Sequence, residues 1–76
     1  MTKPSNGGTI TLRGEHITLA HAIKVVGLAS TGGQAKLLVR AGRITVNGAL
    51  TMQPGRKLRI GDRFGRAGGA EWTIIS

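Results

Sequence analysis

The run Ser30–Gly48, STGGQAKLLVRAGRITVNG, leaves little freedom to the chain that contains it. It opens on a cap signal. Thr31 followed three residues later by Gln34 fits a capping box, in which each side chain satisfies an orphan backbone N–H at the helix start. Ala35, Leu38 and Val39 then form a buried stripe at helical spacing, with Ala35 small enough for a neighbouring helix to come close, and Gly42 supplies the stop. Ile44-Thr45-Val46 reads as a strand. Asn47-Gly48 ahead of Ala49-Leu50-Thr51 is a strong hairpin signal, because a type I′ turn needs positive φ at both central residues. A rigid helix–strand unit follows, and it lines up Lys36 and Arg40, four apart, with Arg43 continuing their line just past the helix end. Three cations on one ridge suit a polyanion.

The remaining elements are shorter. Residues 1–8 read as a frayed leader, and residues 9–76 as a single domain without repeats. Thr9 to Arg13 alternates at period two and predicts a strand ending at Gly14. Thr18 stands where an N-cap belongs, Leu19, Ala22, Ile23 and Val26 follow at helical spacing, and Gly27 stops that first helix. Leu28-Ala29 joins the two helices, which should pack as a hairpin. Pro54-Gly55 and Gly61-Asp62 mark turns, and Lys57 to Ile60 reads as a short strand or an extended loop. Arg63-Phe64 and Glu71 to Ile75 should pair across a loop from Gly65 to Ala70.

Composition narrows the function. The chain has 76 residues, near the size where one core is only marginally stable, and no cysteine to reinforce it by disulfides or thiolate metal sites. Its formal charge is +8, and Lys36 to Arg66 holds eight cations (Lys36, Arg40, Arg43, Arg56, Lys57, Arg59, Arg63, Arg66) against one acid, Asp62. A solubility surface mixes both signs, whereas a one-sign field favours phosphate partners or anionic membranes. No apolar run is long enough to span a bilayer and the first residues carry no hydrophobic signal region, so a cytoplasmic protein without membrane association is the default expectation.

Several features carry two readings. Arg56-Lys57-Leu58-Arg59 is a basic loop that would extend the helix ridge into a patch if the hairpin folds back on the helices. Gly32-Gly33 either uncovers backbone N–H groups for an anion at a helix N-terminus or serves a turn needing positive φ or lacking room for a Cβ; the second is favoured. Gly65-Arg66-Ala67-Gly68 matches the nucleotide-clamping Gly-x-x-Gly of KH domains, but that loop works between helices, and here a mobile hairpin tip is expected. Phe64 and Trp72 suit core filling or an inter-strand pair better than base stacking, so no aromatic platform for single strands is visible. Catalysis has no footing. His16 and His21, if both helical, diverge by about 140°, and Glu15, Asp62 and Glu71 form no carboxylate pair. No cofactor or metal is implied.

The order and spacing of Leu19, Ile23-Lys24, Gly27-Leu28, Ser30 to Lys36, Gly42, Val46-Asn47-Gly48 and Gly61-Asp62 resemble the S-four RNA-binding domain, the alpha-L RNA-binding motif named for a small-subunit ribosomal protein. The resemblance runs from Ile17 to Phe64 and is nearest the small stand-alone bacterial members. It implies an α+β fold, with two antiparallel helices packed on a small antiparallel β-sheet, and RNA binding along helix two and adjacent loops. Carried over, Lys36, Arg40, Asn47 and Lys57 fall at or beside RNA-facing positions. Many relatives place a basic residue where this chain has Gly32 or Gly33, a departure shared with the small stand-alone type. Larger relatives append the domain to pseudouridine synthases or tyrosyl-tRNA synthetases, whose catalytic domains are separate.

The expectation is therefore a non-catalytic, monomeric module for structured RNA such as ribosomal or transfer RNA, with the ribosome a candidate partner. Its site combines Lys36, Arg40, Arg43, Arg56, Lys57 and Arg59 with Gly32, Gly33, Gln34 and Asn47 in a single electropositive wall. The alternatives are docking to an acidic protein or the ribosome surface, and duplex DNA binding through the same charges.

Overall fold

The computed structural model describes residues 8–76. In chain order these form β1 (Gly8–Thr11), β2 (Ile17–Thr18), α1 (Leu19–Val25), α2 (Gly32–Arg40), β3 (Ile44–Val46), β4 (Ala49–Leu50), β5 (Lys57–Leu58), β6 (Arg63–Arg66) and β7 (Glu71–Ile75). The expected leader lies outside the described residues except for Gly8, which belongs to β1.

Both helices begin and end by the same local chemistry. Thr18 Oγ1 accepts from His21 N–H at 3.3 Å, and Thr31 Oγ1 accepts from Gln34 N–H at 3.1 Å. The reciprocal half of the capping box lands one residue early, since Gln34 Oε1 accepts from Ser30 N–H rather than Thr31 N–H. At the other ends Gly27 and Gly42 take φ of 85° and 74°. Around them the N–H groups of Gly27 and Leu28 reach Lys24 O and Ile23 O, and those of Gly42 and Arg43 reach Val39 O and Leu38 O. This is the paired bonding of a Schellman stop, which requires a left-handed residue and so favours glycine.

The main sheet runs β1-β7-β6-β3-β4. Asn47 and Gly48, with φ of 53° and 87°, turn β3 into β4 as expected for the type I′ hairpin. Strands β6 and β7 pair antiparallel and set Phe64 directly opposite Trp72, their rings stacked with centroids 6.0 Å apart. The sheet is not wholly antiparallel, because β1 joins β7 in parallel, with Ile10 opposite Ile74. Alternation at period two identifies a strand but says nothing of its partner or direction. The expected strand from Thr9 to Arg13 is likewise shifted and ends at Thr11.

A second, two-stranded ribbon was not expected. Ile17 and Thr18 of β2 pair with Leu58 and Lys57 of β5. Next to it, Leu19 N–H and Ala20 N–H, two orphan donors at the start of α1, bond to Arg56 O and Pro54 O at 2.8 and 3.0 Å. The basic loop is thereby fastened to the first helix.

One core joins helices and strands. Leu19, Ala22 and Ile23 of α1, Ala35 and Val39 of α2, and Ile44, Val46, Leu58, Phe64 and Ile74 of the strands are buried together. Leu38 completes the α2 stripe but stays partly exposed. Gly65 lies in β6 rather than in a hairpin tip, and a Cβ there would collide with Ala70 O and press within 2.9 Å of Glu71 Cα. The loop passes so close that only glycine fits.

Candidate nucleic-acid interface

A helix turns 100° per residue, so the inward positions Ala35 and Val39 leave Lys36 and Arg40 together on a neighbouring, exposed face of α2. A third side of α2 is apolar: Leu37, 67% exposed, joins Leu28, Leu38, Ala41 and the stem of Gln34 in a shallow groove. Sequence reading had no reason to single out Leu37, since the helical stripe is complete without it. Arg43 stands just beyond the Schellman stop. Its N–H bonds to Leu38 O and its carbonyl accepts from Ala67 N–H, so a backbone held from both sides carries this exposed cation.

Arg56, Lys57 and Arg59 are exposed on the segment fastened to α1. Beyond it the chain reverses at Gly61, φ 98°, and Asp62 closes the turn. Asp62 Oδ2 accepts from Arg59 N–H at 2.8 Å, while Asp62 N–H donates to Arg59 O at 3.0 Å. Its other oxygen, Oδ1, accepts from Asn47 Nδ2 at 3.1 Å. Asn47 in turn accepts from Arg63 N–H through Oδ1 at 2.9 Å, and its own N–H donates to Arg63 O at 2.8 Å. The hairpin tip, the basic loop and the start of β6 are thus sewn together by two polar side chains. Asn47 is an expected site residue; Asp62 enters the sequence reading as a turn signal, the one acid of the basic stretch and part of the family resemblance, but with no site role. Asp side chains nonetheless commonly accept from nearby backbone N–H groups.

The Arg59 N–H holds the Asp62 carboxyl below its ordinary value of 3.8; burial pushes the other way, and the Asn47 amide and the charges of Arg56 and Arg59 add to the lowering. A depressed folded-state pKa means stability gained above the ordinary value and lost as pH falls through the folded one. Acid unfolding of the parent should therefore steepen below pH 3.8, and the Asp62→Asn variant should show a flatter profile there. Equal pH profiles by circular dichroism would contradict this account.

The cations meet almost no acid. Among the described residues the one ion pair is Arg63 with Glu71 at 3.5 Å, half exposed, so Lys36, Arg40, Arg43, Arg56, Lys57 and Arg59 are not in ion pairs. The structure places Arg43 and Asn47 at opposite ends of β3, about 13 Å apart along an extended strand. Gly32 and Gly33 correct the favoured reading. Neither has positive φ, nothing lies within 4 Å of a Cβ on Gly32, and a Cβ on Gly33 meets only Thr31 Oγ1 at 3.9 Å. Neither turn geometry nor crowding demands glycine at these first two positions of α2.

Two other expectations also change. Arg66 sits in β6, not in a loop tip. His16 precedes β2 and lies outside α1, so the helical angle does not apply; His16 and His21 line one shallow groove with Arg13 and Thr18. Among the described residues no group of three or more His, Cys, Asp or Glu is placed to hold a metal ion, and no helix is long and apolar enough to cross a membrane.

A solved structure shares this architecture. In solution, YbcJ of E. coli reveals an alfaL motif involved in RNA binding; this chain is similar to it at 26% identity, with a TM-score of 0.72 over 100% of this chain and 96% of that one. No curated protein matches the chain. The model of the S4 domain matches residues 10–74, which takes in both Gly-stopped helices, the β3–β4 hairpin and the Asp62 turn, and on that extent the chain belongs to the S4 domain family.

Proposed function

We propose that the chain is a non-catalytic RNA-binding module that grips structured RNA, ribosomal or transfer RNA being the class in view. The observation that carries this reading is the set of six exposed cations without acid partners, mounted on backbone fixed by helix stops, β-pairing and the α1 docking bonds. Such groups hold phosphate positions. In this reading Lys36, Arg40 and Arg43 follow one stretch of RNA backbone, and Arg56, Lys57 and Arg59 meet another. The uncovered N–H groups at Gly32 and Gly33 and the free amide hydrogens of Gln34 lie at the start of the ridge and supplement it. Phe64 is buried and the half-buried Trp72 is stacked on it, so the pair offers no exposed aromatic platform of the kind that reads single strands, which favours recognition by shape over sequence. The alfaL motif of YbcJ, involved in RNA binding, supports the same reading.

The test is a titration of labelled A-form RNA hairpin at several salt concentrations. Six phosphate contacts predict an affinity loss of roughly 10³-fold between 50 and 200 mM salt. A flat salt response would defeat the proposal. Equal competition by B-form DNA of the same length would shift the reading to duplex binding in general, and a partner that survives nuclease treatment would shift it to protein docking.

A further inference from the structure

We infer that Asp62 is a positioning residue for RNA binding, tying the basic loop to the hairpin through Asn47, so that removing this acid weakens binding although it makes the face more positive. The inference rests on the RNA-binding reading above. Asp62 is the single acid between Lys36 and Arg66, set close enough to Arg56 and Arg59 for their charges to act on its carboxyl. On a surface selected only for attraction to phosphate, that charge is out of place. Removing one neighbouring negative charge at about 8 Å in a water-like medium should by itself raise affinity about twofold.

What the carboxylate does instead is visible in its bonds. One oxygen holds the Arg59 N–H and the other the Asn47 amide, while the far end of that amide holds the Arg63 N–H. The relay therefore adds a side-chain tie between the Arg59 backbone, the hairpin tip and the start of β6 at Arg63, beside the backbone bonds already there. Asn47 sustains it from a left-handed conformation, φ 53°, at the tip of the hairpin. Both ends of its side chain are engaged within the protein, so its contribution to binding runs through Asp62 and Arg63. Backbone bonds from Gly61 N–H to Ile74 O and from Ile74 N–H to Asp62 O keep the turn on β7 without the relay. What is lost is its tie to the hairpin and the hold on Arg59 N–H, so the Arg59 cation is positioned less firmly.

The decisive experiment measures RNA affinity and its salt slope for the full chain and for Asp62→Ala, Asn47→Ala, the double variant and Glu15→Gln. Asn47→Ala should weaken binding roughly five- to eightfold at 0.1 M salt, and Asp62→Ala, offset by its about twofold charge gain, roughly 2.5- to 4-fold, each lowering the slope by about 0.7–0.9, the value of one phosphate contact. The double variant should match Asp62→Ala, because both single changes break one link and only the loss of Asp62 changes the charge. Glu15→Gln, which makes the same charge change elsewhere on the surface, should bind as tightly as the parent or slightly tighter. A loss of stability alone would leave the slope of the folded protein unchanged. If Asp62→Ala does not fold, the isosteric Asp62→Asn must show the same sign.

The inference is overturned if removal of Asp62 leaves affinity equal or raises it, or if the Asn47 and Asp62 effects add, which would place Asn47 directly on the RNA. A parent chain with no salt-dependent RNA binding would sink the underlying reading as well, whereas a parent that binds and an Asp62 variant that binds no worse sinks this inference alone.

Discussion

Replacing Lys36 and Arg40 together with alanine is expected to weaken binding of an A-form RNA hairpin by roughly 25- to 60-fold at 0.1 M salt. The figure follows from counterion release. Each phosphate contact contributes a slope of about 0.7–0.9 in log affinity against log salt, which at 0.1 M is worth roughly five- to eightfold. Two contacts multiply, so the slope should fall by about 1.4–1.8 and the variants should converge on the parent near 1 M salt. The fold should not notice. Both side chains are exposed and outside ion pairs, the packing of α2 rests on Ala35 and Val39, and alanine is the best helix former. An unchanged salt slope in the double variant would remove helix two from the interface. Arg40→Lys serves as the control, since it keeps the charge and should keep the slope.

The second large effect concerns stability. Gly65→Ala should lower the folding free energy by roughly 3 kcal/mol or more, because an added methyl finds no space and its obstacles are backbone. Ala70 O and Glu71 Cα cannot rotate aside as a side-chain tip would. They move only if β6 and β7 separate, and that pairing also stacks Phe64 on Trp72. For a domain of this size the loss corresponds to a drop of about 12–24 °C in thermal midpoint. Gly69→Ala, four positions on, is the control. Its Cβ would lie 3.5 Å from Arg66 Cβ, an ordinary contact, and its φ is not in the left-handed region. A Gly65→Ala variant as stable as the parent would show that the loop can retreat.

Particular residues show why parts of this architecture were legible in advance. Thr18 and Thr31 cap, Gly27 and Gly42 stop, and Asn47-Gly48 turn the chain through bonds that span no more than five residues. The identities needed for such bonds sit side by side in the sequence. The inward stripe of α2 and the Phe64–Trp72 pair follow from periodicity for the same reason. The candidate cations were legible too, as exposed residues on a strongly basic stretch, but their mounting was not: nothing local says that Arg56 O receives the first N–H of α1.

The misreadings share one cause. The glycines at 32 and 33 looked like a structural necessity, and space around a missing Cβ can be known only after packing. Gly65 looked like loop, and its real constraint comes from Ala70 folding back over the strand. The sheet looked antiparallel throughout, and β1 finds its parallel partner β7 at the far end of the chain.

By itself, then, the order of amino acids determined where helices start and stop, which turn reverses the chain after Val46, which side chains avoid water, and that a dense positive charge had to face outward. Those outcomes depend on hydrogen bonds and torsion angles between near neighbours. Tertiary structure alone decided the partner of β1, the glycine that no other residue can replace, and the linkage of Asn47 to Asp62 across fifteen positions. Contacts between distant segments form only when the whole apolar core closes, so their identities are written in no single stretch of the chain.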